Sequence, residues 1–275
     1  MEGRKWEDLN EDCLVNALGR VGIESLLMEV PFVCKSWFKA TLNPLCWRHL
    51  VFPQITHLPW YTDSFTSRLI REYRLQGRFS VTALVKSLIK RSDRSITHLK
   101  LPGCCSEEAL FYAADECPNL RTLVIPYDFS DEHMFKIPNL VTNWKKLEFL
   151  KLGISCQIKE IIAQISIHCK NFVGLAIKRA QIEKNEATAI VTLLPNINYL
   201  GLKEASIQRQ YLVMILKGCK KLEYVDVRMC LGFDEGDGDI LKLASHIRTF
   251  RHEGSHLVDL ICFSYIFYPD GYGSG

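Results

Sequence analysis

The sequence has no apolar run long enough to span a bilayer, and its charge is nearly balanced. Its longest apolar stretch, 257–267, is far shorter than the roughly 20 residues of a transmembrane helix and contains Asp259. A formal net charge of +3 is too small to indicate nucleic-acid binding, which needs a concentrated basic face. Residues 1–12 are polar and lack the apolar core of a secretory signal. We therefore expect a cytoplasmic or nuclear protein with no membrane anchor and no nucleic-acid partner.

Sequence signatures of catalysis are also missing. There is no glycine-rich phosphate loop, no nucleophile elbow and no cluster of His and Cys at the spacing of a metal site. The segment 232–239 is acidic and rich in glycine, but it lacks the alternating ligands and the final Glu of a calcium-binding loop. We interpret it as a solvated loop. The sequence thus predicts a protein that is not an enzyme, with no catalytic residue, no metal site and no cofactor.

Cysteine, by contrast, is plentiful, with eleven residues in the chain. Their positions follow a repeated pattern in the sequence rather than the paired framework of a small secreted domain. Reduced cysteine behaves as a small apolar residue that is usually buried. We therefore expect reduced thiols that fill core positions.

A short apolar sequence motif recurs from Ile96 to Arg251. Its middle residues lie at positions 99, 123, 150, 175, 200, 225 and 250, which are separated by steps of 24, 27, 25, 25, 25 and 25. The clear copies are Ile96-x-x-Leu99-x-Leu101, Leu120-x-x-Leu123-x-Ile125, Leu147-x-x-Leu150-x-Leu152, Phe172-x-x-Leu175-x-Ile177, Ile197-x-x-Leu200-x-Leu202 and Leu222-x-x-Val225-x-Val227. A weaker copy follows at Ile247-x-x-Phe250.

Each copy combines the patterns of a strand and of a helix. The alternation at its centre sends both apolar side chains to one face of a strand, and the residues that follow have helical spacing. The period lies within the range of leucine-rich repeats, and the recurring small residues and cysteines resemble the cysteine-containing subclass of that family. The resemblance implies an α/β solenoid of about seven leucine-rich repeats over 96–258, with a short parallel sheet and outer helices.

The first fifty residues have a different pattern. Asn10 is a suitable cap for a helix that carries Leu14 and Leu18, a second short helix is predicted over 24–30, and a third begins at Pro31. We assign 1–50 to this three-helix bundle, 51–95 to a connector and N-terminal cap, and 259–275 to a C-terminal cap and tail. So small a bundle cannot bury all its apolar surface, which indicates a partner.

The sequence of this segment resembles an F-box. The residues that carry the resemblance are Trp6-x-Asp8-Leu9-Asn10, Leu14, Ile23-x-x-Leu26-Leu27, Phe32-Val33-Cys34-Lys35-Ser36-Trp37 and Pro44-x-x-Trp47. The match is especially good to F-box proteins of plants. The resemblance implies docking on a Skp-type adaptor and, through it, on the cullin of a ubiquitin ligase. The positions it implies for forming or supporting the adaptor surface are Leu9, Asn10, Leu14, Ile23, Leu26, Val33 and Trp37. The alternative is that they only stabilise the bundle itself.

Outward-facing strand positions bring aromatic and basic residues into neighbouring columns. They are Phe149, Lys151, Lys178, Tyr199, Lys203, Tyr224 and Arg228. Stacked like charges destabilise a sheet face unless an anion relieves them. One interpretation is a substrate-binding patch for an acidic or phosphorylated segment. The other is a set of soluble surface residues whose lysines splay apart in water.

These patterns together predict a non-catalytic substrate receptor of a Skp–cullin–F-box ubiquitin ligase that captures an unknown protein substrate for ubiquitination. One alternative is a leucine-rich scaffold for protein interactions whose bundle binds something else. A second is a sensor of a small molecule or hormone, which would need a deep pocket against the strand face. Adaptor binding separates the ligase receptor from the scaffold.

Overall fold

The structure is a computed structural model that describes residues 9–55, 64–126, 129, 131–153 and 157–257. The chain divides into two compact units, Met1–Phe172 and Val173–Gly275, which are described separately. Short parallel strands alternate with helices in both units, and a small helical bundle precedes the first strand. The predicted α/β fold class is therefore confirmed.

The bundle at the start of the first unit contains α1 (Glu11–Leu18), α2 (Ile23–Met28) and α3 (Lys35–Thr41). Asn10 caps α1 as predicted, because its side-chain oxygen accepts a hydrogen bond from the backbone N–H of Asp12 at 2.8 Å. The prediction that the third helix begins at Pro31 is wrong. A 3₁₀ turn spans Val30–Phe32, and α3 starts only after Cys34, whose backbone is extended.

Four parallel strands of the first unit follow the bundle, in the order β1 (His49–Val51), β2 (His98–Lys100), β3 (Thr122–Val124) and β4 (Phe149–Leu152). The strand register pairs Leu50 with Leu99, Leu99 with Leu123, and Leu123 with Leu150. These four leucines are fully buried. The middle leucines of successive repeats thus form one continuous buried row in the core. Leu50 extends this row back to the end of the bundle.

Six helices connect or flank these strands in the described part of the first unit: α4 (Ser64–Glu72), α5 (Val81–Arg91), α6 (Glu107–Glu116), α7 (Asp131–Met134), α8 (Ile137–Leu140) and α9 (Ile158–His168). Helix α5 ends where the sequence predicted, near Arg91, and its first turn is capped by Ser80. Its buried residues Val85, Leu88 and Ile89 recur at helical spacing. The helix therefore buries one face.

The second unit repeats the same plan with β5 (Gly174–Ile177), β6 (Gln181–Ile182), α10 (Lys184–Leu193), β7 (Tyr199–Gly201), β8 (Ser206–Ile207), α11 (Arg209–Gly218), β9 (Tyr224–Asp226), α12 (Gly238–Ala244) and β10 (Thr249–Arg251). Its parallel strands follow the order β5-β7-β9-β10, with Leu175, Leu200 and Val225 in register. Strands β6 and β8 form a separate two-stranded sheet, which the sequence did not predict.

The nine cysteines in the described part of the chain form no disulfide. Burial raises the pKa of the Cys117 thiol to about 12, and those of Cys169 and Cys219 to about 11. Thiols with such values stay protonated at neutral pH, so they are poor nucleophiles. They occupy equivalent positions after α6, α9 and α11 and fill the core there, in agreement with the interpretation of reduced, buried residues.

Some predicted segments lie outside the described residues. These include the C-terminal cap and tail at 259–275 and residues 56–63 of the connector. The acidic segment 232–239 is described, and its carboxylates make local hydrogen bonds. Asp237 caps α12 and also pairs with Arg209, while the Asp234 carboxylate accepts from the backbone N–H of Gly236 at 2.7 Å.

Candidate protein-interaction surfaces

The seven residues predicted for the adaptor surface all lie in the first unit, at very different depths. Leu14, Ile23 and Leu26 are buried, with 3%, 2% and 1% of their surface exposed. Such side chains can support a binding surface, but they cannot touch a partner unless the bundle rearranges. Asn10 is exposed and caps α1, and Trp37 is half-buried. Leu9 and Val33 are exposed.

The bundle also exposes large apolar side chains that the sequence analysis missed. Phe32 is 67% exposed, Phe38 51%, Leu42 60% and Leu45 50%, beside Val33 at 57%. These five residues are called the exposed apolar set. Phe38 and Leu42 are four residues apart and so share one side of α3 and its end. The helical spacing of Phe38 and Leu42 could have revealed that they share a side, while Ala40 and Thr41 of the same helix are buried.

An exposed apolar set of this kind indicates an interaction surface. Seven of the seventeen large apolar side chains that are exposed in the described part of the chain lie between Leu9 and Leu45. Contiguous apolar surface is costly in water, and covering it is the main source of favourable free energy in protein association. The bundle therefore has more to gain from a partner than any other described segment of similar length.

Contacts within the first unit attach the bundle to the elements that follow it. The guanidinium of Arg68 on α4 lies 3.1 Å from the Glu29 carboxylate and 3.6 Å from that of Glu24. A hydrogen bond from Ser25, together with that from Arg68, holds the pKa of Glu29 below its ordinary value. The Tyr73 hydroxyl donates to the carbonyl of Leu27 at 2.6 Å. Helix α4 therefore braces α2 with directional contacts.

Trp47 provides a second attachment at the junction of bundle and sheet. It is fully buried, and its Nε1–H donates to the Thr41 carbonyl at 2.8 Å. The guanidinium of Arg91, at the end of α5, lies 5.3 Å from the ring centroid. The Ser95 hydroxyl donates to the Pro44 carbonyl at 3.1 Å. The bundle is thus fixed against the first strands by α4 and α5.

The residues predicted to bind substrate are divided between the two units. Phe149, which is half-buried, and Lys151, which is exposed, belong to β4 of the first unit. The second unit contains Lys178, Tyr199, Lys203, Tyr224 and Arg228. Tyr199 lies opposite Tyr224 in the sheet. Lys178, Lys203 and Arg228 lie in the turns that follow β5, β7 and β9.

The two tyrosines of the second unit form a parallel stack. The rings of Tyr199 and Tyr224 have centroids 4.4 Å apart and planes inclined by 4°. The guanidinium of Arg251 lies 5.7 Å from the Tyr224 centroid. Burial, together with the neighbouring Tyr224 hydroxyl, raises the pKa of Tyr199 to about 12. Tyr199 is therefore neutral at physiological pH, and one face of each ring lies against the other ring.

The basic residues of this face have acidic neighbours within the protein. The Glu204 carboxylate lies 3.1 Å from Nε of Arg179, 3.2 Å from Nζ of Lys178 and 3.7 Å from Nζ of Lys203. Partial burial opposes ionisation of Glu204, but hydrogen bonds from Arg179 and Lys178 outweigh it and hold its pKa below the ordinary value. Glu204 relieves the repulsion between the lysines, which the sequence analysis did not foresee.

Arg228 has an acidic partner of its own. It donates from Nε and Nη2 to the two carboxylate oxygens of Asp226, at 2.8 and 2.7 Å. Partial burial opposes ionisation of Asp226, but these hydrogen bonds keep its pKa below the ordinary value. Arg228 is therefore paired with Asp226, separately from the two lysines that share Glu204.

Within 9–55, 64–126, 129, 131–153 and 157–257, no group of three or more His, Cys, Asp or Glu side chains is arranged to hold a metal ion. None of the helices described there has the length and apolar character needed to cross a membrane.

Comparison with known proteins shows which chains this one is similar to. An F-box/LRR-repeat protein of Arabidopsis thaliana is 28% identical over 231 residues, which cover 82% of this chain and 72% of the relative. The Arabidopsis F-box proteins FBW2 and SKIP1 are each 25% identical and cover 83% and 86% of this chain, and 69% and 82% of their own lengths. No protein-family model matches the chain.

One solved structure, a complex of Rad7 and Elc1 in yeast, is similar over 67% of this chain and 52% of that chain. The sequence identity is 15% and the TM-score is 0.47. This chain thus spans about half the length of the solved one, and we base no argument on a likeness of this level. The sequence relatives, by contrast, each cover more than four-fifths of this chain.

Proposed function

We propose that this chain, a homologue of plant F-box/LRR-repeat proteins, is a non-catalytic substrate receptor of a Skp–cullin–F-box ubiquitin ligase. Its N-terminal bundle docks on the Skp-type adaptor, which connects it to the cullin, and its repeats capture a protein substrate for ubiquitination. The homology over most of the chain supports the assignment to this class of proteins. The partners of the complex would supply the ligase chemistry.

The strongest support for this proposal is the exposed apolar set of the bundle. The exposed apolar set lies on a bundle whose sequence resembles an F-box, and its five members have between 50% and 67% of their surface in water. Aromatic and aliphatic side chains in such a position are typical anchors of protein interfaces. Within the first unit, α4 and Trp47 fix the bundle to the strands that follow, so a docked adaptor would be held firmly relative to them.

Adaptor binding by purified proteins tests this proposal. The wild type is compared with a Phe38→Ser/Leu42→Ser double variant in a pull-down and in titration calorimetry with a Skp-type adaptor. We expect the wild type to bind and the double variant to bind at least about tenfold more weakly, since each change removes an exposed apolar anchor. Circular dichroism checks that the variant is folded.

A matched control uses exposed apolar residues of the first unit outside the bundle. Phe135 and Ile167 are 51% and 56% exposed, so Phe135→Ser/Ile167→Ser removes similar side chains from other positions. Adaptor affinity of this control should equal that of the wild type. A wild type without measurable affinity for the adaptor would contradict the proposal and favour a leucine-rich scaffold that serves no ligase.

A further inference from the structure

The outward strand face of the second unit has three bands that follow one another along the strands. On β7 and in the turn that follows it they are Tyr199, Gly201 and Lys203, which are two residues apart in the sequence. The neighbouring strand β5 places Gly174 opposite Tyr199 and Ala176 opposite Gly201. A hydrogen bond of 3.1 Å from Arg179 N–H to the Lys203 carbonyl continues the pairing past the strand ends. The bands are therefore aromatic, small and basic, in that order.

The middle band forms a floor without projecting side chains. Ala176 is only 8% exposed although it faces outward, and Gly201 is buried beside it. A Cβ atom added to Gly201 would lie 3.1 Å from that of Ala176 and 3.5 Å from the Tyr199 ring, so the floor accepts only small residues. The middle band therefore adds no projecting side chain of its own between the stacked rings and the basic band, and the Tyr199 ring lies close beside it.

The basic band retains positive charge despite its internal carboxylate. Lys178, Arg179 and Lys203 surround the single carboxylate of Glu204 at 3.1–3.7 Å. Three positive charges and one negative charge leave the cluster at a formal +2. At the opposite end lie the stacked Tyr199 and Tyr224 rings, which are apolar and half-buried. The two ends therefore favour different side chains of one ligand, an acidic one and an apolar one.

We propose that this face binds an extended acidic segment of a protein that carries an aromatic residue and a carboxylate four positions apart. Alternate residues of an extended chain face the same way, and each residue advances it by about 3.3 Å. The aromatic residue would pack against the stacked pair of Tyr199 and Tyr224, the residue two positions on would lie across the small band of Ala176 and Gly201, and the carboxylate would join Lys178 and Lys203. This inference rests on the proposed receptor function and names the class of substrate.

Charge complementarity selects this occupant over a neutral one. A carboxylate that reaches the basic band gains charged hydrogen bonds and lowers the net charge of the cluster from +2. The internal ion pairs are partly exposed, with 23% of the Glu204 side chain and 37% of the Lys178 side chain in contact with water. A ligand carboxylate can therefore reach Lys178 from solvent without displacing Glu204 completely.

Fluorescence anisotropy with labelled synthetic peptides tests the inference on the full chain. The probes are short Gly/Ser peptides with Phe and Glu four positions apart, in both orders because the direction of the bound segment is open. The comparison peptides have the same composition with Phe and Glu two positions apart, or Gln in place of Glu. We expect the wild type to prefer the four-position spacing in one order by about tenfold and to lose affinity as salt is raised.

Matched variants show where the probe binds. Lys178→Gln/Lys203→Gln removes two charges of the basic band and should weaken binding about tenfold. Lys217→Gln/Lys220→Gln makes the same change of net charge on α11 and the turn after it, where both lysines are exposed, and should leave binding unchanged. Equal binding by both variants, indifference to spacing, or preference for a single-stranded oligonucleotide would overturn the inference.

Adaptor binding measured with the same variants tests the receptor function separately from the peptide site. Adaptor binding of Lys178→Gln/Lys203→Gln is measured in parallel and should match that of the wild type. A wild type that binds the adaptor but no acidic probe refutes the substrate class and leaves the receptor function standing. A wild type that binds the spaced acidic probe but no adaptor supports this face as a peptide site and refutes the ligase role.

Discussion

The N-terminal bundle and the strand face of the second unit expose opposite kinds of surface. The bundle leaves Phe32, Val33, Phe38, Leu42 and Leu45 in water. The strand face instead exposes charged groups that already have partners, such as Glu204 among its three cations and Arg228 on Asp226. Apolar surface gains free energy whenever it is covered, whereas a paired charge can only exchange one partner for another.

This difference agrees with two different tasks in the proposed function. A constant partner is best held by apolar surface, because its burial gives a large favourable free energy that salt does not weaken. A partner that must be bound and released is better served by charged groups in contact with water, whose net contribution is small. In the proposed receptor the bundle would hold the adaptor, and the strand face would exchange substrates.

The largest expected effect on the free energy of unfolding comes from a buried residue of the bundle. Leu26→Ala removes a side chain that is only 1% exposed, and we expect it to lower the free energy of unfolding by about 3 kcal/mol, since it leaves a cavity in a small core. Leu42→Ala makes the same chemical change at a residue that is 60% exposed and should cost at most about 0.5 kcal/mol. Urea unfolding measures both, and similar losses would show that the bundle does not separate core from surface in this way.

A smaller effect is expected on the strand face of the second unit. Glu204→Gln removes the carboxylate shared by Lys178, Arg179 and Lys203, and we expect a loss of about 1 kcal/mol in the free energy of unfolding at neutral pH. The exposed Glu223, replaced by Gln, is the control and should change little.

The pH dependence of Glu204→Gln checks the electrostatic cause. The folded protein lowers the pKa of Glu204 from its ordinary 4.5, so the unfolded chain takes up the proton first as the solution is acidified. The stabilisation is therefore complete above about pH 4.5 and is lost as pH falls through the folded-state value. The stability gap between wild type and Glu204→Gln should close on acidification. A gap that is constant with pH would assign the effect to packing instead.

The smallest effect concerns the turns that follow the strands of the second unit. Met229 and Gly254 occupy equivalent positions in successive repeats, with left-handed φ values of 54° and 76°. We expect Met229→Gly to raise the free energy of unfolding by no more than about 1 kcal/mol, because it relieves a conformation that suits glycine, and Gly254→Ala to lower it by about 1 kcal/mol. Thermal unfolding of both variants measures this. In the bundle, Gly22 at the N-cap of α2 also has a positive φ of 85°, so Gly22→Ala should likewise be destabilising.

Much of the fold could be predicted from the sequence because its signals are periodic. The spacing of Leu99, Leu123 and Leu150 predicted strands whose register the structure confirms. Asn10 and the run of residues before Arg91 predicted a helix cap and a helix end, which are also confirmed. The break at Cys34 and the small sheet of β6 and β8 were missed, since neither has a repeating apolar pattern.

The candidate sites were harder to predict than the fold. The sequence located the bundle and the five outward residues of the second unit, but it could not tell that Leu26 is buried while Phe38 is exposed. Both are large and apolar, and only the packing of three short helices decides which of them reaches water. In the same way, the charges of Lys178 and Lys203 were visible, whereas the role of Glu204 depends on how its turn is oriented.

The repeat, its register and the apolar column of the core follow from the order of residues, because a side-chain period of two and a repeat of near-constant length leave one way to bury those residues. Packing in three dimensions selects which apolar residues of the bundle stay exposed, and which carboxylate lies among the cations of the second unit. Those outcomes depend on distances between residues far apart in the chain, such as Arg179 and Glu204, and no local pattern specifies them.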